Sequence, residues 1–185
     1  SLRSHGWSRG LKKMNSKNKT FKKDFEFINA GYNVRPLDIS AAIGINQLKR
    51  LKYFKSTRDY NRKKIILSLK KSKLWKNQMR FIDFDKTTKP SWFGLPIIIN
   101  DNYVNQKKKY IKYLENNEIE TRPIISGNFT NQPSVKLFNL NPKKIKFPNA
   151  DEIEKKGFFI GLHTTKIKKS ELNYLTSKLL KLGNF

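Results

Sequence analysis

The sequence predicts an α/β protein made of one long helix followed by a small layered domain, and three observations lead there. From Leu37 the apolar residues fall at helical spacing, through Ile39, Ala42, Ile43, Leu48, Leu51 and Phe54 and on to Tyr60, Ile65, Ile66 and Leu69. Beyond Ser91, segments of strand and helix character alternate to the end of the chain. Hydrophobic residues make up 37% and aromatics 12% of the 185 residues, enough to fill a core, so the high charge does not argue disorder.

Taken in order, Leu11 to Asp24 is Lys/Asn-rich and reads as a surface loop, and Phe25 to Ala30 as a short strand. Gly31-Tyr32-Asn33 reads as a turn, and Pro36 suits the first turn of a helix, where its missing N–H costs nothing. No Gly or Pro follows Gly44 until well past Lys70, so one helix is expected to about Lys70. At ~1.5 Å per residue it spans roughly 50 Å. "SWFGLPIII" reads as a buried strand with Pro96 at a bulge or edge position. "YVNQKKKYIKYLENN" is an amphipathic helix with Tyr103, Val104, Tyr110, Ile111 and Leu114 inward, and "EIETRPII" is a second strand. A loop enters a short helix in "SGNFTNQPSVKL". The "FPNADEIEKKG" helix has acids in its first turns and Gly157 as its stop. "FFIGL" is a third strand, and Ser170 is expected to cap a last helix carrying Leu172, Leu175, Leu179 and Leu182. The order from Ser91 fits a small α/β or α+β layer domain.

Lys+Arg number 40 against Asp+Glu 14, a net charge of +26. Two readings are open. A basic face for nucleic acid is one. The other is compositional: Lys is spread over every segment alongside abundant Asn and Ile, and a nucleic-acid footprint should cluster. The chain contains no cysteine, which removes disulfides, zinc–thiolate sites and Cys-ligated iron–sulfur clusters from it. No apolar run approaches the roughly 18 residues of a membrane span. The start, "SLRSHGWSRG", has neither an initiator Met nor an apolar h-region and reads as mid-domain sequence, so a piece of a longer protein is expected.

His5 and His163 are the only histidines, neither has further ligand candidates nearby in sequence, and no metal site is expected. P-loop and dinucleotide-binding glycine motifs are absent. Asp83 and Asp85 read as a solvated strand edge. "GYNVRP" carries more: Gly31 permits positive φ, Asn33 offers an amide donor, and Arg35 sets a cation beside a helix N-terminus, where anions are favoured. An ordinary turn whose Arg pairs with a carboxylate is the plainer alternative.

The motifs "LRSHGW", "GYNVRPLDISAAIGINQLKRL", "PSWFGLPI", "IETRPIISGNFTNQP", "FPNADEI" and "FFIGLH" together resemble DegT-type sugar-nucleotide aminotransferases and dehydratases. The likeness covers nearly the whole chain. It is greatest to the branch that removes the C3 hydroxyl from nucleotide-linked 4-keto-6-deoxyhexoses, because ordinary aminotransferases more often show Leu-Pro where Ile160-Gly161 stands. The resemblance implies the C-terminal part of the pyridoxal-phosphate-dependent aspartate-aminotransferase-like fold. Residues 1–35 would end the large cofactor-binding domain, 36–71 would form a linking helix, and 72–185 the small domain. It also implies pyridoxal or pyridoxamine 5'-phosphate as cofactor and a nucleotide sugar as substrate. A cytoplasmic homodimer with active sites shared across its interface is implied, working in deoxysugar and lipopolysaccharide biosynthesis.

By the same resemblance His5 matches a catalytic position. Asn33 should contact the cofactor phosphate of the neighbouring subunit, with Arg35 in the same loop. Arg122, Ser126 and Asn128 match a substrate-binding loop. The family's catalytic Lys, or the His that replaces it in one dehydratase group, would lie upstream of "LRSHGW". In one group of 3-dehydratases cysteines between the "LRSHGW"-like and "GYN"-like motifs hold an iron–sulfur cluster; here Ser8 to Ala30 contains neither Cys nor His. Transamination at the same ketone is the alternative reaction. A basic nucleic-acid-binding module, or a dimerisation remnant without catalysis, is the alternative of another class.

Overall fold

A computed structural model describes residues 2–6, 29–85, 87–141 and 143–185. The loop expected over Leu11–Asp24 and residues 25–28 of the strand expected over Phe25–Ala30 lie outside them. Two compact units divide the chain, Ser1–Arg50 and Leu51–Phe185.

One helix, α1 (Asp38–Lys71), runs for 34 residues and crosses that division. It starts two residues after Pro36, so the proline precedes the helix instead of opening it; Leu37 O accepts the Ala41 N–H at 3.1 Å, which makes Leu37 the first residue in the ladder. The two halves of α1 differ. Thr57, Asn61, Arg62, Ile65 and Leu69 are buried, one stripe at helical spacing facing the second unit's own core. In the first half, Ile39, Ile43, Ile45 and Leu48 are exposed.

The second unit is built on a four-stranded sheet in the order β1 (Met79–Phe81), β2 (Gly94–Ile99), β4 (Gly157–Gly161), β3 (Thr121–Arg122), with every pairing antiparallel. This is the α+β member of the two layer architectures expected. β2 is central and almost wholly buried, as its unbroken apolar run predicts. Pro96 therefore lies inside the sheet, opposite Phe159 of β4. It is tolerated because β1 ends one residue short of it, at the pair Phe81↔Ile97. Residues 82–85 are not strand, so Asp83 and Asp85 sit in coil, where Asp85 Oδ1 accepts the Thr87 N–H at 2.7 Å. The expected strand "EIETRPII" shrinks to Thr121–Arg122, because Pro123 has no N–H with which to continue a ladder.

The helices α2 (Lys107–Asn116), α3 (Pro133–Leu137), α4 (Pro148–Lys156) and α5 (Lys169–Leu179) complete the unit. Gly157 follows α4 directly and is already extended, with φ −84°. Its lack of a side chain answers a close approach: a Cβ there would meet Ile153 O at 2.4 Å. α5 begins one residue before Ser170. Its start is held by Glu171, whose carboxylate accepts the Lys168 N–H at 2.8 Å, so the expected serine cap is not used.

Leu69, Leu95, Ile97, Ile99, Tyr110, Leu114, Phe158 and Leu179 form the centre of one apolar cluster. Each such side chain contributes roughly 1.5–3 kcal/mol by leaving water. Tyr110 adds a buried polar bond, its hydroxyl donating to Leu179 O at 2.8 Å and tying α2 to the end of α5. Burial pushes its phenol pKa up, so it stays a neutral donor. Tyr110→Phe keeps the ring and loses that bond, and about 1 kcal/mol of stability is expected to go with it. Urea midpoints of the two proteins check this; coincident midpoints would remove the bond from the account.

Candidate functional site

Two groups of predicted site residues sit in different units, and each has its own geometry.

In the first unit, residues 2–6 turn back on residues 31–34. Tyr32 N–H donates to Leu2 O at 2.7 Å, His5 N–H to Tyr32 O at 3.0 Å and Val34 N–H to Arg3 O at 3.1 Å, with Ser4 bridging Asn33 antiparallel. Two glycines permit the approach. At Gly31 a Cβ would lie 2.4 Å from Gly6 N and 2.7 Å from Leu2 O. Gly6 has φ +93°, and its Cβ would lie 1.6 Å from Asn29 O. His5 is also left-handed, at φ 60°. The structure thus brings His5 and Asn33 together on one pinned backbone, with Arg35 two residues further on. All three side chains are exposed.

The Asn33 amide makes no hydrogen bond among the described residues, and it is held by backbone bonds on both sides. An exposed amide N–H presented this way fits a phosphate group. Asp38 puts a carboxylate in the first turn of α1, and Arg35 stands three residues before that turn. The helix N-terminus is therefore already served by its own acid, and the anion attraction read from sequence rests on Asn33 and Arg35.

In the second unit the segment after β3 carries the other three. Arg122 Nε and Nη2 donate to Glu120 Oε1 at 2.9 and 2.7 Å, an exposed pair of the kind worth little to stability. Ser126 is half-buried in a tight turn, between Ile125 at φ 47° and Gly127 at φ 60°. Gly127 packs on α4 so closely that a Cβ would meet Glu154 Cβ at 2.4 Å.

Asn128 is buried and its side chain is committed. Its Oδ1 accepts from Thr130 N at 3.0 Å and Thr130 Oγ1 at 2.7 Å, and its Nδ2 donates to Asp151 at 2.6 Å. Glu154 accepts from Asn128 N and from Asn131 Nδ2. Asn128 is thus the hub that fixes the loop, and Arg122 and Ser126 are the side chains the loop presents.

Asp151 and Glu154 are the residues that sequence reasoning missed here. It took them only as acids near a helix start, although their spacing of three puts both on one face of α4. His163 is turned to its own loop: Nδ1 accepts the Thr165 N–H at 3.2 Å and lies 2.7 Å from Thr165 Oγ1. Among the described residues no group of three His, Cys, Asp or Glu could hold a metal, and no helix is long and apolar enough to cross a membrane.

Comparison with known proteins agrees with the fold. The chain is 35% identical over 185 residues to a GDP-4-keto-6-deoxy-D-mannose 3-dehydratase of Escherichia coli O55:H7, covering 96% of the chain and 45% of the relative. The E. coli GDP-4-keto-6-deoxy-D-mannose-3-dehydratase solved with bound hydrated PLP superposes with a TM-score of 0.79 at 34% identity, over 96% of this chain and 45% of that one. A sugar aminotransferase from Micromonospora echinospora, CalS13, shares the fold with a TM-score of 0.72 at 14% identity, over 97% of this chain and 42% of that one. The chain spans about half the length of these relatives. It is a portion of the pyridoxal-phosphate-dependent aminotransferase fold, mixed helix and sheet. With residues 1–179 matching the family description, the chain belongs to the DegT/DnrJ/EryC1/StrS aminotransferase family.

Proposed function

We propose that the chain supplies the C-terminal portion of a sugar-nucleotide enzyme that uses pyridoxal or pyridoxamine 5'-phosphate to remove the C3 hydroxyl of a nucleotide-linked 4-keto-6-deoxyhexose. The observation that carries this is 35% identity to a 3-dehydratase across 96% of the chain, against 14% to a sugar aminotransferase of the same fold. The cofactor, when bound, supplies an electron sink beside the ketone. The Asn33 amide donates to the cofactor phosphate of a neighbouring subunit, and Arg35 adds positive charge there. His5, on the same pinned turn, is the residue of this chain that takes the catalytic position. Arg122 and Ser126 bind the nucleotide sugar, and Asn128 acts through them by fixing the loop on α4. The exposed apolar side chains Ile39, Ile43, Ile45 and Leu48 support a homodimer in which the first half of α1 is covered. A nucleotide-sugar substrate supports a cytoplasmic location for the enzyme.

The reaction is tested with the full-length enzyme, a GDP-linked 4-keto-6-deoxyhexose, pyridoxal phosphate and glutamate as the only reductive input. A product lacking the C3 oxygen is expected, read by mass spectrometry, and no stoichiometric iron or sulfide after anaerobic purification. An aminated sugar that keeps every hydroxyl would overturn the dehydratase reading. Dependence on a bound cluster and an electron-donating reductase would overturn the cluster-free one.

A further inference from the structure

We propose that the unit Leu51–Phe185 carries a binding site for a phosphate ester with a planar ring, of mononucleotide size, set between the second half of α1 and β1. This does not rest on the reaction proposed above.

A cavity of about 530 Å³ lies there, within the size range of small-molecule sites. One stripe of α1 forms a wall: Arg62 and Lys63, then Ile66 and Leu67, then Lys70, at the spacing that stacks side chains along one helix face. Trp75 and Phe81 line the other side, stacked at 6.1 Å with an interplanar angle of 14°. The Trp75 ring is fixed by its Nε1–H, which donates to Asn77 Oδ1 at 2.8 Å.

The charges are unbalanced. Arg80 also lines the cavity but is engaged by Glu152 at 2.7 Å. Arg62, Lys63 and Lys70 form no ion pair among the described residues, and Asp83 is the one carboxylate on the wall. Arg62 is 8% exposed. It donates to Ile82 O at 2.7 Å, lies 4.5 Å from the Trp92 ring centroid, and keeps a buried Nε–H with no acceptor among the described residues.

Lys63 and Lys70 open onto this space, and Arg62, held by Ile82 O and the Trp92 face, adds its charge to the wall; together they suit an oxyanion of high charge density. The aromatic pair suits a flat ring, since stacking on such a face is tolerant of ring identity. Chain-wide basic charge attracts polyanions diffusely. A wall of cations facing stacked rings across one open cavity selects a ligand that carries both a phosphate and a ring.

The test titrates the chain with AMP, inorganic phosphate and adenosine separately, at about 0.15 M salt, by calorimetry and tryptophan fluorescence. Saturable one-to-one binding of AMP is expected, at least about tenfold tighter than either half-ligand. The double variant Lys63→Ala/Lys70→Ala replaces exposed side chains and should weaken AMP about tenfold or more. Trp75→Leu should weaken AMP and leave inorganic phosphate within about twofold. Lys168→Ala/Lys169→Ala, which removes equal charge from the start of α5, should leave AMP binding within about twofold. Absence of saturable binding, equal affinity for AMP and inorganic phosphate, or equal loss in the two lysine double variants would each overturn the proposal.

Discussion

Asn33→Ala in the full-length enzyme lowers retention of the pyridoxal phosphate cofactor about 10- to 100-fold. The amide is exposed on a segment held by Tyr32 N–H to Leu2 O and by Val34 N–H to Arg3 O, so the backbone that carries it needs no further ordering. A hydrogen bond to a charged phosphate is worth roughly 1.5–3 kcal/mol, and each 1.4 kcal/mol is about tenfold in affinity. Cofactor absorbance after dialysis against graded pyridoxal phosphate measures the change. Retention equal to that of the unaltered enzyme would remove Asn33 from the phosphate site.

Asn61→Leu destabilises the second unit by about 3 kcal/mol or more. Asn61 is 2% exposed and makes three hydrogen bonds to one distant loop. Its Nδ2 donates to His163 O at 3.1 Å and Thr165 O at 2.8 Å, and its Oδ1 accepts the Ile167 N–H at 2.9 Å. Leucine has a similar volume, so packing survives while three main-chain groups lose their partner, each costing about 1–3 kcal/mol where water cannot reach it. Partial access of water keeps the sum toward the lower end, since His163 and Thr165 are exposed. Denaturant unfolding of this variant beside Asn46→Leu, whose amide reaches only Ala42 O at 3.5 Å on an exposed turn, separates the two cases. Equal midpoints for the two variants would contradict the role given to Asn61.

The parts of the fold legible in the sequence are those set by local pattern. α1 runs to within a residue of its expected end because its periodicity continues unbroken. Its start shifts two residues past Pro36, where Leu37 O takes the first bond of the ladder from the Ala41 N–H. β2 is legible from four apolar residues around a proline. β1 is not, because three residues with one buried face carry no readable alternation.

The site divides in the same way. Resemblance in "GYN" and "TRPIISGN" points to Asn33 and to the loop, and the structure adds what pattern does not contain. Gly31 and Gly6 are needed for contact with residues 23 to 29 positions away, and Asn128 is occupied by Asp151, 23 positions on. Asn61 finds its partners more than a hundred positions later. No window of sequence reports such pairings, since they exist only once each unit has folded. The unbalanced charge around Arg62 is hidden for the same reason, in a chain where lysine is everywhere.

The central claim is that this chain's first unit furnishes half of an active site completed by another subunit. Complementation tests it most directly. Full-length Asn33→Ala is mixed, after dissociation, with a subunit inactivated at the upstream catalytic residue, and turnover is measured against each parent alone. If the contact crosses the interface, each heterodimer gains one intact site and activity returns while both parents stay low. A mixture no more active than the sum of its parents, with subunit exchange confirmed by native mass spectrometry, would contradict the claim.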